Sequence, residues 1–167
     1  MARQAPTTAK GYYFSLSVFH AAVCFAVALS AGLFYWMRNS GEQSDMHEDL
    51  IGTFTILVPL VIAGAIVGTI FLFNTRIIKI REMSDLPQKL AAYRSLVIMR
   101  MAIVEMSAIM TLVAYFLTAQ MLFLMSGLAV LFYMIYLRPS AARVKEDLAL
   151  DYQDQESLDN PDYRLDQ

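Results

Sequence analysis

The sequence is poor in the residues that most binding and catalytic chemistry needs. Its 167 residues include one cysteine, Cys24, and two histidines, His20 and His47. A single cysteine excludes an intrachain disulfide scaffold, and the scarcity of Cys and His argues against a structural metal centre. The 13 Lys and Arg against 15 Asp and Glu give a net charge of −2 with no basic stripe, which excludes a nucleic-acid binder. Charged residues are only 17% of the chain, against about 25% in soluble domains. No nucleophile motif, phosphate loop or close carboxylate pair appears, so no enzyme is expected. No cofactor is expected either, because His20 has no second intramembrane histidine with which to ligate a haem.

What the chain has instead is apolar length. Hydrophobic residues make up 57%, concentrated in four runs at about 11–37, 50–74, 95–118 and 121–137. A helix needs roughly 20 residues to cross a bilayer. The first run is too long for a secretory signal and ends in Phe34, Tyr35, Trp36, Met37 and Arg38, an interfacial anchor. The expected fold is therefore an all-α, polytopic membrane protein, with four transmembrane helices in an up-down bundle over residues 1–138. Lys and Arg in the short flanks set orientation. Arg3, Lys10, Arg76, Lys79, Arg81, Lys89, Arg94, Arg138, Arg143 and Lys145 lie on one side and Arg38 on the other. Both termini are thus expected in the cytoplasm, with 38–49, including His47, outside.

Arg76-Ile77-Ile78-Lys79-Ile80-Arg81 reads as span two continuing at the headgroups, its basic stems covering apolar surface. Ser84-Asp85-Leu86-Pro87 reads as a helix start, with a capping Ser or Asp and Pro in the first turn. Helix three therefore begins about two turns before the membrane. Pro139 ends or bends span four. Residues 139–150 form an expected amphipathic helix with Ala141, Val144 and Leu148 on one face. Residues 151–167 hold six acidic residues and one Arg, and are expected to be unstructured.

Ionisable residues inside a span are functional candidates by default. Glu105 lies 11 residues past Arg94, about 16 Å along the axis. Its face includes Ile98, Met101, Ala102, Ala108, Ile109 and Leu112. Burial would raise its pKa, so that it could hold a proton and release it to water or a cation; the other reading is a hydrogen-bonded carboxyl holding helices together. His20 lies on a stripe of Tyr13, Ser17, His20, Cys24 and Ala31, and a His20–Glu105 pair would require spans one and three to face each other. The pair is the ion-binding candidate; Cys24 is read as a small hydrophobe. Arg100 projects about 140° from Glu105, shares a face with Ser107 and Thr111, and is expected to snorkel or to pair with a neighbouring subunit. Ser17, Ser107 and Thr111 are supporting polar residues. Gly64 and Gly68 form a small-xxx-small pattern for helix packing, one turn after Pro59, which is expected to bend the span.

The stretch Arg94-Ser95-Leu96-Val97-Ile98-Met99-Arg100-Met101-Ala102-Ile103-Val104-Glu105 follows a small-residue helix and a polar loop. In this the 51–118 hairpin resembles the proteolipid subunit c of rotary F-type ATP synthases. That family carries a mid-membrane carboxylate on its second helix, and the resemblance implies the same role for Glu105. It is confined to the hairpin; where the family has a run of alternating glycines, span two offers Gly64 and Gly68.

The expected function is that of a small, non-enzymatic integral membrane protein. It would assemble with itself or with a larger complex in the plasma or inner membrane, its other partner being the lipid bilayer. The alternative is a proton- or cation-translocating carrier built on Glu105.

Overall fold

Thr8 opens the first helix, its hydroxyl oxygen accepting from the Gly11 N–H at 3.1 Å. From there the computed structural model describes residues 8–40, 48–161 and 163–165. The expected placement of His47 in an outer loop lies outside the described residues. Six helices form among them: α1 (Ala9–Asn39), α2 (Glu48–Arg81), α3 (Leu86–Thr118), α4 (Met121–Tyr136), α5 (Ala141–Leu148) and α6 (Tyr152–Asp159). Asp85 stands at the N-cap position of α3 with Pro87 in its first turn, as expected, but its side chain makes no capping hydrogen bond. α2 runs through Pro59 as one helix and continues to Arg81.

Helices α1, α2 and α3 are each long and apolar enough to cross a membrane. Their outward faces carry Phe14, Phe25, Trp36, Ile56, Leu60, Phe71 and Met106, all more than half exposed. Such a continuous apolar surface belongs in lipid rather than water. α4 has 16 residues, about 24 Å of helix, and is joined to α5 across Pro139 by a 77° bend.

α3 is the axis. It packs against α1, α2 and α4, while α1 and α2 share no comparable interface. Phe34 of α1 stacks on Phe116 at 5.2 Å, and Phe54 of α2 meets Phe123 of α4 edge-on at 6.2 Å. Among the described glycines, Gly127 on α4 is the one pressed against a neighbouring helix. A Cβ there would lie 2.7 Å from Thr111 Oγ1 and 2.9 Å from Leu112 Cδ2, and both of these side chains are wholly buried.

The remaining elements fold over one end of this bundle, where the start of α1, the turn between α2 and α3, and the end of α4 come together. Tyr12 Oη donates to the Leu90 carbonyl at 3.0 Å, and Tyr93 Oη to Asp147 Oδ2 at 2.8 Å. Arg81 Nε donates to the Asp147 carbonyl at 2.7 Å, tying α2 to α5. Ser140 caps α5 by accepting from Arg143 N–H at 3.2 Å. Val144 and Leu148 are buried beneath α5, but Ala141, expected on the same face, is exposed.

The acidic segment differs from expectation: Tyr152–Asp159 is helical rather than unstructured. Composition alone missed three sources of order. Asp151 caps the helix, accepting from Asp154 N–H at 2.8 Å. Leu158 is buried. Lys89 and Lys145 meet Asp154 and Asp159 as ion pairs. Burial and the neighbouring Asp151 raise the Asp154 carboxyl above its usual range, and Lys89 opposes them. Beyond α6 the chain returns to α1, where Ala9 N–H donates to the Tyr163 carbonyl at 3.0 Å.

The Gly127 contact makes a direct prediction. Gly127→Val should destabilise the α3–α4 pair by about 1–3 kcal/mol, since the added carbons overpack a filled interface. Gly64→Ala, with nothing within 4 Å of its Cβ, should leave the fold's stability unchanged or slightly raised. Thermal unfolding in detergent, followed by helical circular dichroism, measures both.

Candidate functional site

α4 stops at Tyr136, and the last carbonyls of a helix lack intrahelical donors. The Met134 carbonyl accepts from Leu137 N–H at 3.0 Å. It also accepts from His20 Nε2 at 2.9 Å, across from α1. A carbonyl can only accept, so Nε2 carries a hydrogen. His20 is 5% exposed and serves here as a side-chain cap for a neighbouring helix.

Cys24 lies one turn further along α1, its Sγ 3.9 Å from His20 Nε2. Glu105 of α3 is within electrostatic range of the Cys24 thiol, so α1 and α3 do face each other here. Glu105 and His20 are nevertheless not hydrogen-bonded to each other. The imidazole is already committed to Met134. Glu105 is half-buried and makes no hydrogen bond or ion pair to a described residue. On one side of it Met101, Ala108 and Leu112 are buried; on the other Ala102 and Met106 are exposed. The carboxyl therefore stands at the rim of the α1–α3 seam, beside an open stripe of α3.

Arg100 turns away from Glu105 and toward the α4–α5 bend. Its guanidinium lies 4.8 Å from the centroid of Phe73 on α2, a cation–π distance. It lines a small cavity with Tyr93, Leu137, Pro139, Arg143 and Asp147, and its Nε is buried without a hydrogen-bond partner. The cavity holds about 10 Å³, the room one water needs to reach that nitrogen. Arg100 is thus level with the end of α4. Glu105, five residues on, lies about 7.5 Å deeper.

The supporting polar residues divide. Ser107 and Thr111 are buried, and each donates to a carbonyl of its own helix at 2.7 Å, Val104 and Ala108 respectively. Ser17 is half-buried, near Arg138 and Asp159 where α1 meets the C-terminal segment. None of the three reaches Glu105 with a hydrogen bond. Gly64 and Gly68 have open space where a Cβ would stand and face away from the bundle. Gly64 borders an apolar groove of about 520 Å³ between α2 and α3, lined also by Val61, Ala65, Ile103, Met106 and Met110. Among the described residues no three His, Cys, Asp or Glu side chains converge to hold a metal ion.

Sequence reasoning missed Tyr93, Asp147 and Gly127. Tyr93 and Asp147 are 54 residues apart, and neither lies in a motif.

Comparison of the chain with protein-family models, curated proteins and solved structures gives no match. The likeness of the 51–118 hairpin to the proteolipid rests on that hairpin's own residues.

The cap predicts a stability signature. His20→Ala should cost about 1–3 kcal/mol, the range for leaving a buried polar group unsatisfied. Cys24→Ala, which removes no strong hydrogen bond, should cost less. Paired denaturation curves of the two variants in one detergent test the order.

Proposed function

We propose that this protein is a non-enzymatic, integral membrane assembly subunit whose open α2–α3 face receives a transmembrane helix from a second chain. The observation that carries the reading is the environment of Gly64 and Gly68. Small residues let transmembrane backbones approach closely, yet no helix of this chain uses these two. Gly64 edges an apolar groove that lipid tails or another helix must fill, and Gly68 lies exposed one turn along the same helix. Glu105 supports the same reading from the other edge of the α3 stripe. A charged residue at the centre of a membrane helix costs roughly 2.5–3.5 kcal/mol on insertion scales, and an incoming donor would relieve that cost for a carboxyl at the rim.

The topology proposed is four crossings with both termini in the cytoplasm of a plasma or inner membrane. The basic flanks support that sidedness by the positive-inside rule. The fourth crossing is α4, whose length of about 24 Å suits a locally thinned bilayer with snorkelling flanks. Gentle extraction from native membranes should yield a particle of more than one chain. Gly64→Ile with Gly68→Ile should reduce it to a single copy with the helical content unchanged, measured by light scattering after size exclusion. A wild-type particle that is already a lone chain overturns the proposal.

A second reading is supported by the half-buried, unbonded state of Glu105: a proton or sodium carrier. It predicts that Glu105→Gln abolishes ion uptake into proteoliposomes while melting temperature is kept. Equal uptake by wild type and variant removes it.

A further inference from the structure

Arg76 and Lys79 are the two cations at their end of the bundle that stand together over a crevice. Arg81 is bonded to the Asp147 carbonyl, Arg143 to the carbonyls of Tyr136 and Arg138, and Lys89 and Lys145 to Asp154 and Asp159. Arg76 and Lys79 are exposed and make no hydrogen bond or ion pair to any described residue. They are three residues apart on α2, so their stems are neighbours on one face. Between them and α3 runs a crevice of about 310 Å³, lined also by Ile80, Met83, Ser95 and Met99.

The level of this crevice matters. Phe73 on α2 is matched with Arg100, at the end of α4. Arg76 and Lys79 lie about 4.5 and 9 Å beyond Phe73 along the axis. The headgroup layer adds roughly 5–7 Å on each side of the hydrocarbon. Two unpaired cations at headgroup depth, over an apolar crevice between two spanning helices, suit an amphiphile with an anionic head. Met99, Ile78 and Met83 are exposed beside it, so an acyl chain would leave the crevice directly along an apolar surface.

We infer that the crevice between the end of α2 and the start of α3 is a binding site for an anionic phospholipid. Its phosphate is shared by Arg76 and Lys79, and one chain lies against Ile80, Met83 and Met99. Basic sites between spanning helices at the membrane surface recognise such headgroups. The site is separate from the groove at Gly64, which is about 18 Å further down α2 from Arg76. Helices crossing at small residues do so at about −40° and splay apart toward their ends, which leaves the headgroup level open to lipid.

The test uses the full chain in a neutral detergent, titrated with dioleoyl phosphatidylglycerol or dioleoyl phosphatidylcholine and read by native mass spectrometry. One phosphatidylglycerol should be retained in preference to phosphatidylcholine. Arg76→Gln with Lys79→Gln should weaken it roughly thirtyfold, the value of two surface cations acting together. Arg76→Lys with Lys79→Arg should keep it. Arg94→Gln with Arg138→Gln, at the same end but outside the crevice, should leave retention unchanged. Equal retention of the two lipids, or equal loss in the Arg94/Arg138 pair, overturns the inference. Gly64→Ile with Gly68→Ile should leave lipid retention intact, so failure of the assembly reading and failure of this one are separable.

Discussion

The bundle is organised by a helix that ends early. α4 has 16 residues against 31 to 34 in its neighbours, and the last carbonyls of a helix need donors from elsewhere. Residues distant in sequence converge to satisfy and cover that stop. His20 donates to Met134 from α1, and Arg143 Nη1 donates to Tyr136 and Arg138 from the helix that follows. Pro139 turns the chain aside, so α5 lies across the end of α4 instead of extending it. The negative end of the α4 dipole also explains why cations gather here. Arg100, Arg138 and Arg143 all lie at this level, and Arg100 is placed so that Phe73 shields its other face.

Once that end is closed, the rest of the polar chemistry at this pole follows. α5 brings Asp147 to Tyr93 and Arg81, which joins α2, α3 and α5 through one carboxylate and its backbone. α6 then packs Leu158 inward and places its acids against Lys89 and Lys145. These surface pairs are individually worth little, about 0–1 kcal/mol. Their larger effect is to remove the repulsion that would otherwise keep an acidic helix from docking. The order runs from the membrane outward: a capped α4, a bent α5, a docked α6, and a final strand-like contact with the start of α1.

Much of this was legible in the sequence where the signal is local. The start of α3 at Asp85 and Pro87, the bend at Pro139 and the basic continuation of α2 are matters of a few adjacent residues. The three long apolar helices are stated by composition over a window. What was not legible depends on pairing across the chain. Nothing near His20 announces that its partner is a carbonyl 114 residues away. Gly127 carries no small-xxx-small pattern, yet it is the glycine the bundle needs, whereas Gly64 and Gly68 carry the pattern and are left outside. The acidic segment read as unstructured because its neutralising lysines lie elsewhere: Lys89 is 65 residues from Asp154.

The position of Glu105 follows from the same asymmetry. One flank of α3 is filled by α4, with Gly127 drawn in and the Ser107 and Thr111 hydroxyls turned back on their own helix. The flank between α1 and α2 is not filled, because those two helices do not pack together. Glu105 stands where the filled flank gives way to the open one. His20 is committed to capping, and Arg100 is drawn about 140° round the helix toward the end of α4. The polar groups nearest in sequence thus serve other tasks and leave the carboxyl beside the open side. An incoming helix with a donor and an arriving proton or cation are two answers to the same vacancy in its hydrogen bonding. The two proposed readings, assembly subunit and carrier, differ in which of them would reach that rim.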